Sequence, residues 1–213
     1  MTGNVRDSVY TVCYTLAVGA LCATLLTGAA QFTAPYREAN QRADEMRNIL
    51  AVLKVSVDPR TSAGELTRLF DSRVRHESIG SLAVYRRLSA SADEGPELVA
   101  VKVEGPGLWG PIRGFVSLER DWNTIRSVTF HDHQETPGLG AEISGEAFLR
   151  QFQGKRLLDD TGTPGLRIVS SGAAGTWEVD GLSGATITCD RVEDILHDLA
   201  GQIREERLWE QRP

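Results

Sequence analysis

One threonine near the carboxyl end of the chain follows residues too small to shield its hydroxyl group. Thr186 ends residues 180–186, Asp-Gly-Leu-Ser-Gly-Ala-Thr, in which Gly181, Gly184 and Ala185 have little steric bulk. Glycine also permits the backbone turn that would present the threonine side chain. The chemistry open to such a hydroxyl is esterification by a modifying enzyme. The same composition is also typical of an ordinary loop, because glycine, serine and aspartate between apolar segments mark turns.

Two other kinds of chemistry are weakly supported. Ser183 suggests a hydrolase nucleophile, but the nucleophile elbow requires Gly-x-Ser-x-Gly, and Ala185 does not complete that pattern. His131 and His133 would share one face of a strand, yet no cysteine or third histidine stands near them in the sequence. We therefore predict no catalytic residue and no metal ligand.

A second segment, residues 135–140, has the sequence Glu-Thr-Pro-Gly-Leu-Gly. Its Pro137-Gly138 pair predicts a turn, since proline fixes φ and glycine tolerates positive φ. A turn that exposes backbone N–H groups and places Leu139 beside an aromatic ring would form one wall of a cofactor pocket, because such pockets are mostly apolar with a few polar anchors.

Both segments resemble motifs of the FMN-binding domain family, in which a flavin transferase esterifies FMN onto the last threonine of Asp-Gly-x-Ser-Gly-Ala-Thr. The resemblance implies a covalent phosphoester between FMN and Thr186. The other cofactor-binding residues that it implies are Asp180, Ser183, Gly184, Ala185, Glu135, Thr136, Leu139 and Gly140. Trp109 is a further candidate for flavin contact, with a core aromatic as the alternative.

Four further stretches resemble the C subunits of the sodium-translocating NADH:quinone reductases, which belong to that family. They are residues 4–8, 47–52, 107–110 and 114–118. The chain is shorter than we expect of such a C subunit, so the G subunit of the Rnf electron-transport complex stays open as an alternative. A membrane-anchored module without a redox role, on the same fold, is a third.

The resemblance implies an electron-transfer subunit of an ion-translocating NADH:quinone reductase, with no complete active site of its own. Its partners would be the other subunits of a six-subunit membrane complex, the flavin transferase during maturation, and membrane lipid. Electrons would arrive from an iron–sulfur centre in neighbouring subunits and leave to another flavin in the B subunit. The FMN-carrying domain would lie on the periplasmic face of a bacterial inner membrane.

Composition argues against one class of partner. The chain has 213 residues, of which 29 are acidic and 23 are Lys or Arg, giving a formal net charge of −6. Without a block of basic residues, a role in binding nucleic acid is not expected.

Residues 8–36 contain no charged side chain. As a helix, residues 9–32 would rise about 36 Å, against a hydrocarbon thickness of about 30 Å, which predicts a membrane span. A cleaved signal peptide is the alternative, but its apolar region is usually only about 7–15 residues long. The arginine count around the span would place the large domain in the cytoplasm, against the implied periplasmic location, although long domains translocate largely regardless of flanking charge.

The remaining pattern predicts an α+β fold: an N-terminal transmembrane helix, then an FMN-binding domain with an antiparallel sheet and flanking helices. We predict a membrane anchor over residues 1–35, a helical stalk or linker over 36–80, and the FMN-binding domain over 81–213. Ser62 and Glu65 predict a capping box, and short β-prone runs follow from Leu82 onward. Ser144 is expected to begin one helix and Asp190 to cap the last one. Because Cys13 and Cys22 lie in the span, only Cys189 belongs to the soluble domain, which therefore has no internal disulfide.

Overall fold

The computed structural model describes residues 4–88 and 97–210, with side chains from residue 7 onward. The chain divides into two compact units, Met1–Asp44 and Glu45–Pro213. The first helix, α1 (Asn4–Val52), crosses the boundary between them.

The apolar part of α1 is long and apolar enough, by length and composition, to cross a membrane. Its large apolar side chains, among them Leu16, Leu26 and Phe32, are exposed. A helix that is apolar all round suits lipid surroundings better than an aqueous surface. The helix continues without interruption to Val52. The helical stalk or linker over residues 36–80 stays a prediction.

A short amphipathic helix, α2 (Ala63–Arg73), follows. The predicted capping box is present: the Ser62 hydroxyl accepts a hydrogen bond from the Glu65 backbone N–H, and the Glu65 carboxylate accepts one from the Ser62 N–H at 3.1 Å. The two bonds satisfy two of the backbone donors that a helix start leaves unpaired. The Ser62 hydroxyl also donates to the Glu65 carboxylate at 2.7 Å, and this bond, together with the one from the Ser62 N–H, lowers the pKa of Glu65.

The centre of the fold is a five-stranded antiparallel sheet whose strands follow one another in chain order. The strands are β1 (Val74–Ile79), β2 (Leu82–Arg87), β3 (Val99–Pro106), β4 (Pro111–Leu118) and β5 (Ile125–Asp132). The sequence predicted β2 to β5 but not β1. β1 is an edge strand with a largely exposed burial pattern, so it lacks the apolar run that marks a strand in sequence. The sheet thus begins ahead of residue 81, although the domain limits as a whole stay a prediction.

The rest of the chain forms helices and a small second sheet, which pack on one face of the five-stranded sheet. A 3₁₀ turn over Gly140–Ser144 leads into α3 (Glu146–Arg150). The strands β6 (Arg167–Val169) and β7 (Glu178–Asp180) pair in parallel, and α4 (Thr186–Glu205) packs on β3. The buried residues of α4 include Val192, Ile195, Leu196, Leu199 and Ile203.

Two predicted helix starts are wrong. Ser144 does not begin α3: its hydroxyl donates to the Phe130 carbonyl at 2.6 Å, and Gly145 is the N-cap. Asp190 does not cap α4, which begins four residues earlier, after an Ala185 N-cap that makes no side-chain hydrogen bond. A capping side chain is the local signal for a helix start, and neither helix has one. Because α4 begins earlier than predicted, Thr186 lies in the first turn of the helix.

Candidate functional site

Thr186 is the first residue of α4, and its side chain is exposed. Gly184, with φ of +75°, makes the turn that leads into the helix, a conformation that glycine adopts at little cost. The backbone N–H groups of a first helical turn have no partner within the helix and carry the positive end of its dipole. An anionic group attached to Thr186 would meet these donors.

Thr188, two residues farther along α4, is in the opposite situation. Its side chain is 2 % exposed, and its hydroxyl donates a hydrogen bond to the Glu135 Oε2 atom at 2.6 Å. The two threonines of the motif region are therefore distinguished by the fold. Thr186 offers an accessible hydroxyl, and Thr188 does not.

Glu135 connects three segments of the site. Its Oε1 atom accepts hydrogen bonds from the backbone N–H groups of Leu108 at 2.8 Å and Trp109 at 3.4 Å, while Oε2 accepts the bond from Thr188. Glu135 is 5 % exposed, so these bonds lie inside the protein. The structure thus places the predicted cofactor residue Glu135 between the β3–β4 loop, its own turn and the start of α4.

Two glycines leave room for this carboxylate. A Cβ atom at Gly107 would lie 2.6 Å from Glu135 Oε1, and one at Gly140 would lie 2.8 Å from Glu135 Oε2 and 2.6 Å from the Thr188 hydroxyl oxygen. Such distances do not occur between real Cβ atoms and their neighbours. The predicted site residue Gly140 is therefore required by close approach to Glu135 and Thr188.

A cavity of ≈ 280 Å³ lies on one side of Thr186. Its apolar lining comes from Leu108, Leu139 and Ile187, which are 45 %, 45 % and 52 % exposed. Thr136, Gly184 and Ala185 also line it. Trp109, next to Leu108, is 67 % exposed and is not the core aromatic that the sequence allowed as an alternative. Large apolar side chains that line a cavity and stay this exposed to solvent are typical of a ligand site.

A second cavity, of ≈ 540 Å³, is also lined by Thr186. Its lining is more polar and includes Arg167, Ser170, Ser183 and Asp190. Cys189 also lines it, but its thiol is buried, accepts a hydrogen bond from the Leu182 N–H at 3.3 Å, and has its pKa raised by that burial. Thr186 and Gly184 are shared by the two cavities.

Asp180, which the resemblance predicts to contact the cofactor, braces a loop in this structure. Its carboxylate accepts a hydrogen bond from the Ala173 N–H at 2.7 Å, and the Gln151 side-chain amide pairs with the Asp180 backbone N–H at 2.9 Å and carbonyl at 3.2 Å. Asp180 lines neither of the cavities beside Thr186.

The histidines weighed as metal ligands have other neighbours. The His131 ring stacks on Phe115 with ring centroids 5.3 Å apart, and His133 Nε2 lies 2.7 Å from the Ser144 hydroxyl. Across residues 4–88 and 97–210, no group of three or more His, Cys, Asp or Glu side chains is arranged to hold a metal ion.

Sequence reasoning missed Leu108 and Ile187 as site residues and gave Thr188 only the role of an alternative acceptor. The sequence did hold a signal for both residues. Leu108 is adjacent to the candidate Trp109, and Ile187 is adjacent to the predicted attachment residue Thr186. What the sequence lacked was the pairing of those segments, which depends on contacts between residues 27 and 53 positions apart.

The fit of these residues to FMN can be tested on geometry. A phosphoester needs an accessible hydroxyl, which Thr186 provides. A flavin ring needs apolar surface within reach of that hydroxyl, which Leu108, Leu139 and Ile187 provide in a cavity that Thr186 itself lines. The residues present therefore fit the cofactor.

Comparison with known proteins agrees with this geometry. A family model described as FMN-binding domain matches residues 107–201. The C subunit of the Na(+)-translocating NADH-quinone reductase of Yersinia pestis is 30 % identical over 225 residues, which cover 85 % of this chain and 84 % of that protein. The C subunit from Pseudomonas aeruginosa is 27 % identical over 245 residues, covering 93 % of this chain and 94 % of the relative.

A solved structure has the same fold. It is the C subunit of the Na(+)-translocating NADH-quinone reductase of Parabacteroides distasonis, with a TM-score of 0.68 and 26 % sequence identity. The match covers 83 % of this chain and 97 % of that one. This chain therefore belongs to the family of the C subunits of the Na(+)-translocating NADH-quinone reductases.

Proposed function

We propose that this chain is a membrane-anchored electron-transfer subunit of a Na(+)-translocating NADH:quinone reductase and that it carries FMN covalently on Thr186. The observation that carries the attachment site is the contrast between the two threonines. Thr186 is exposed and lines two cavities, whereas Thr188 is buried and donates to Glu135. A modifying enzyme therefore has access to only one of them.

Bound FMN supplies the redox chemistry, and the protein orients and shields it. Thr186 would hold the phosphate through an ester bond, and the free N–H groups of the first turn of α4 would stabilise the negative charge that the diester retains. Leu108, Leu139 and Ile187 would offer the ring system an apolar surface, and the exposed Trp109, next to Leu108, would extend it. Thr136, Ser183, Gly184 and Ala185 complete the surroundings of Thr186.

The partners in this proposal are the other subunits of a six-subunit complex, a flavin transferase and the bilayer. The apolar length of α1 supports a single-pass anchor in a bacterial inner membrane. We place residues 45–213 on the periplasmic side, where the transferase would reach Thr186. Relatives that are C subunits of this reductase and that cover most of this chain support membership in the complex.

The attachment is tested by expressing the full chain together with its flavin transferase. We expect flavin fluorescence to stay with the protein after denaturing electrophoresis, because a phosphoester survives unfolding, and intact mass to show one added FMN. Thr186→Val should lose both signals. Thr188→Val, the matched control, should keep them, with lower thermal stability from the lost bond to Glu135. Flavin retained in Thr186→Val, or mapped by peptide mass spectrometry to Thr188, would refute the assignment.

A further inference from the structure

Glu135 is the buried acid at the centre of the candidate site. It is 5 % exposed, and both of its carboxylate oxygens are already engaged as acceptors. Carboxylate oxygens that only accept hydrogen bonds suit the ionised form. A group held in this way has little capacity left for a ligand.

The bonds to Glu135 join segments that are far apart in the sequence. Leu108 lies 27 residues before it and Thr188 lies 53 residues after it. Leu108 forms one side of the apolar lining of the ≈ 280 Å³ cavity, and Ile187, which precedes Thr188, forms another. One carboxylate therefore fixes the separation of two walls that no continuous element connects.

The charge on this carboxylate is not neutralised by an ion pair. In the part of the chain that the structure describes, Glu135 forms no salt bridge, and its partners are two backbone N–H groups and a hydroxyl group. Glu135 also lines the ≈ 280 Å³ cavity. In a poorly solvated interior, an uncompensated charge acts on its neighbours more strongly than it would in water.

We infer that Glu135 is a positioning residue, which holds the two walls of the flavin cavity together and lowers the reduction potential of the cofactor through its negative charge. This inference rests on the proposed function, because it assumes a flavin tethered at Thr186. Electron uptake adds negative charge to the cofactor, and a nearby anion opposes it. Removing the anion should raise the potential, and removing a hydrogen bond that stabilises the anion should lower the potential.

Glu135→Gln removes the charge and keeps the shape. The Gln amide nitrogen is a donor, so it cannot accept the bonds that one of the two carboxylate oxygens now accepts. We expect the flavinylated full chain carrying this substitution to have a higher midpoint potential, an altered visible circular dichroism of the flavin, and a lower melting temperature. Glu142→Gln, an exposed carboxylate in the adjacent 3₁₀ turn, is the matched control and should change none of the three.

Thr188→Val gives a test of opposite sign. It removes one hydrogen bond from Glu135 but leaves the charge, so the anion is less stabilised and its effect on the flavin is stronger. We expect a lower midpoint potential in Thr188→Val, with Thr188→Ser restoring the wild-type value because it restores the hydroxyl. A residue with a merely structural role would not shift the potential in opposite directions in these two variants.

The outcomes separate this inference from the proposed attachment. Melting of Thr186→Val with and without Glu135→Gln measures the bracing role in protein that lacks the flavin, and we expect Glu135→Gln to lower the melting temperature there too. Midpoint potentials of Glu135→Gln and Thr188→Val that equal the wild-type value, in fully flavinylated protein, would overturn the electrostatic role. If Glu135→Gln fails to fold, the comparison of Thr188→Val with Thr188→Ser still decides. Absence of flavin from the wild-type chain would count against Thr186 alone.

Discussion

At the scale of single residues, the selection of one threonine over another follows from helix geometry. Residues two positions apart on an α-helix point about 200° apart, so Thr186 and Thr188 face opposite directions. Because α4 packs on β3 through its buried face, one hydroxyl lies inside the protein and the other lies outside. Local composition does not make this choice, because both threonines flank the same Ile187.

Leu139→Ala tests whether the turn over residues 135–140 lines the flavin. A fully buried leucine contributes about 1.5–3 kcal/mol, but Leu139 is 45 % exposed, so the fold itself should lose little stability. We expect a fully flavinylated variant with an altered absorption envelope and a shifted midpoint potential. An unchanged spectrum and potential, with reduced melting temperature alone, would assign the turn a structural role only.

Gly140→Ala tests the close approach beneath the same turn. The new methyl group would lie 2.6 Å from the Thr188 hydroxyl oxygen and 2.8 Å from Glu135 Oε2, which forces those groups apart. We expect a loss of about 1–3 kcal/mol in the free energy of unfolding, measured by denaturant titration of the full chain in detergent. Gly201→Ala is the control, because its Cβ meets nothing within 4 Å in α4 and should stabilise the helix by about 0.5–1 kcal/mol. If Gly140→Ala and Gly201→Ala change the free energy of unfolding equally, the close contact of Gly140 with Glu135 and Thr188 is not what requires glycine there.

At the scale of elements, an ion pair links the carboxyl-terminal part of α1 to the sheet. The ammonium group of Lys102, on β3, lies 2.7 Å from a Glu45 carboxylate oxygen. This hydrogen bond raises the pKa of Lys102 above its ordinary value of 10.5. A raised pKa in the folded state means that the charged lysine stabilises the fold below pH 10.5, and that this stabilisation is lost as the pH rises through the folded-state pKa.

The prediction is a pH-dependent difference between wild type and Lys102→Met. We expect the wild type to be more stable near neutral pH, and the difference in the free energy of unfolding to shrink from just above pH 10.5. Because both groups are partly exposed, the effect should be small and weaker at high salt. Lys54→Met, which removes an exposed lysine, is the control for the change in net charge. A difference that stays constant across this range would indicate that packing of the lysine stem, and not its charge, stabilises the contact.

Elements with a strong local signal were predictable from the sequence. We recognised the apolar length of α1, the capping box of α2 and the β-prone runs of β2 to β5. The sequence left the G subunit of the Rnf complex as an alternative, and membership in the family of the reductase C subunits resolves that choice. β1, β7 and the parallel pairing of β7 with β6 were not recognised, because that pairing depends on partners elsewhere in the chain. At the site, the motifs indicated Thr186 and Leu139, but the bracing roles of Glu135 and Asp180 depend on long-range hydrogen bonds that no local pattern encodes.

At the scale of the whole molecule, the side of the membrane that holds residues 45–213 decides which enzymes and partners reach Thr186. The arginine count favours the cytoplasm, whereas the proposed maturation requires the periplasm. Native Cys189 cannot report on this question, because it is buried and burial raises the pKa of its thiol, so it resists alkylation until the protein unfolds. Cys13 and Cys22 lie within the apolar helix.

An introduced cysteine at an exposed position can report the topology. In a chain with the three native cysteines replaced by alanine or serine, Ser171→Cys places a thiol in the exposed loop between β6 and β7. We expect a membrane-impermeant maleimide to label it in intact cells after permeabilisation of the outer membrane alone. Thr2→Cys, ahead of α1 in the sequence, is the control on the other side of the span and should be labelled only after the inner membrane is lysed. The reverse pattern would place residues 45–213 in the cytoplasm, and the flavin transferase would then have to act there for Thr186 to be modified.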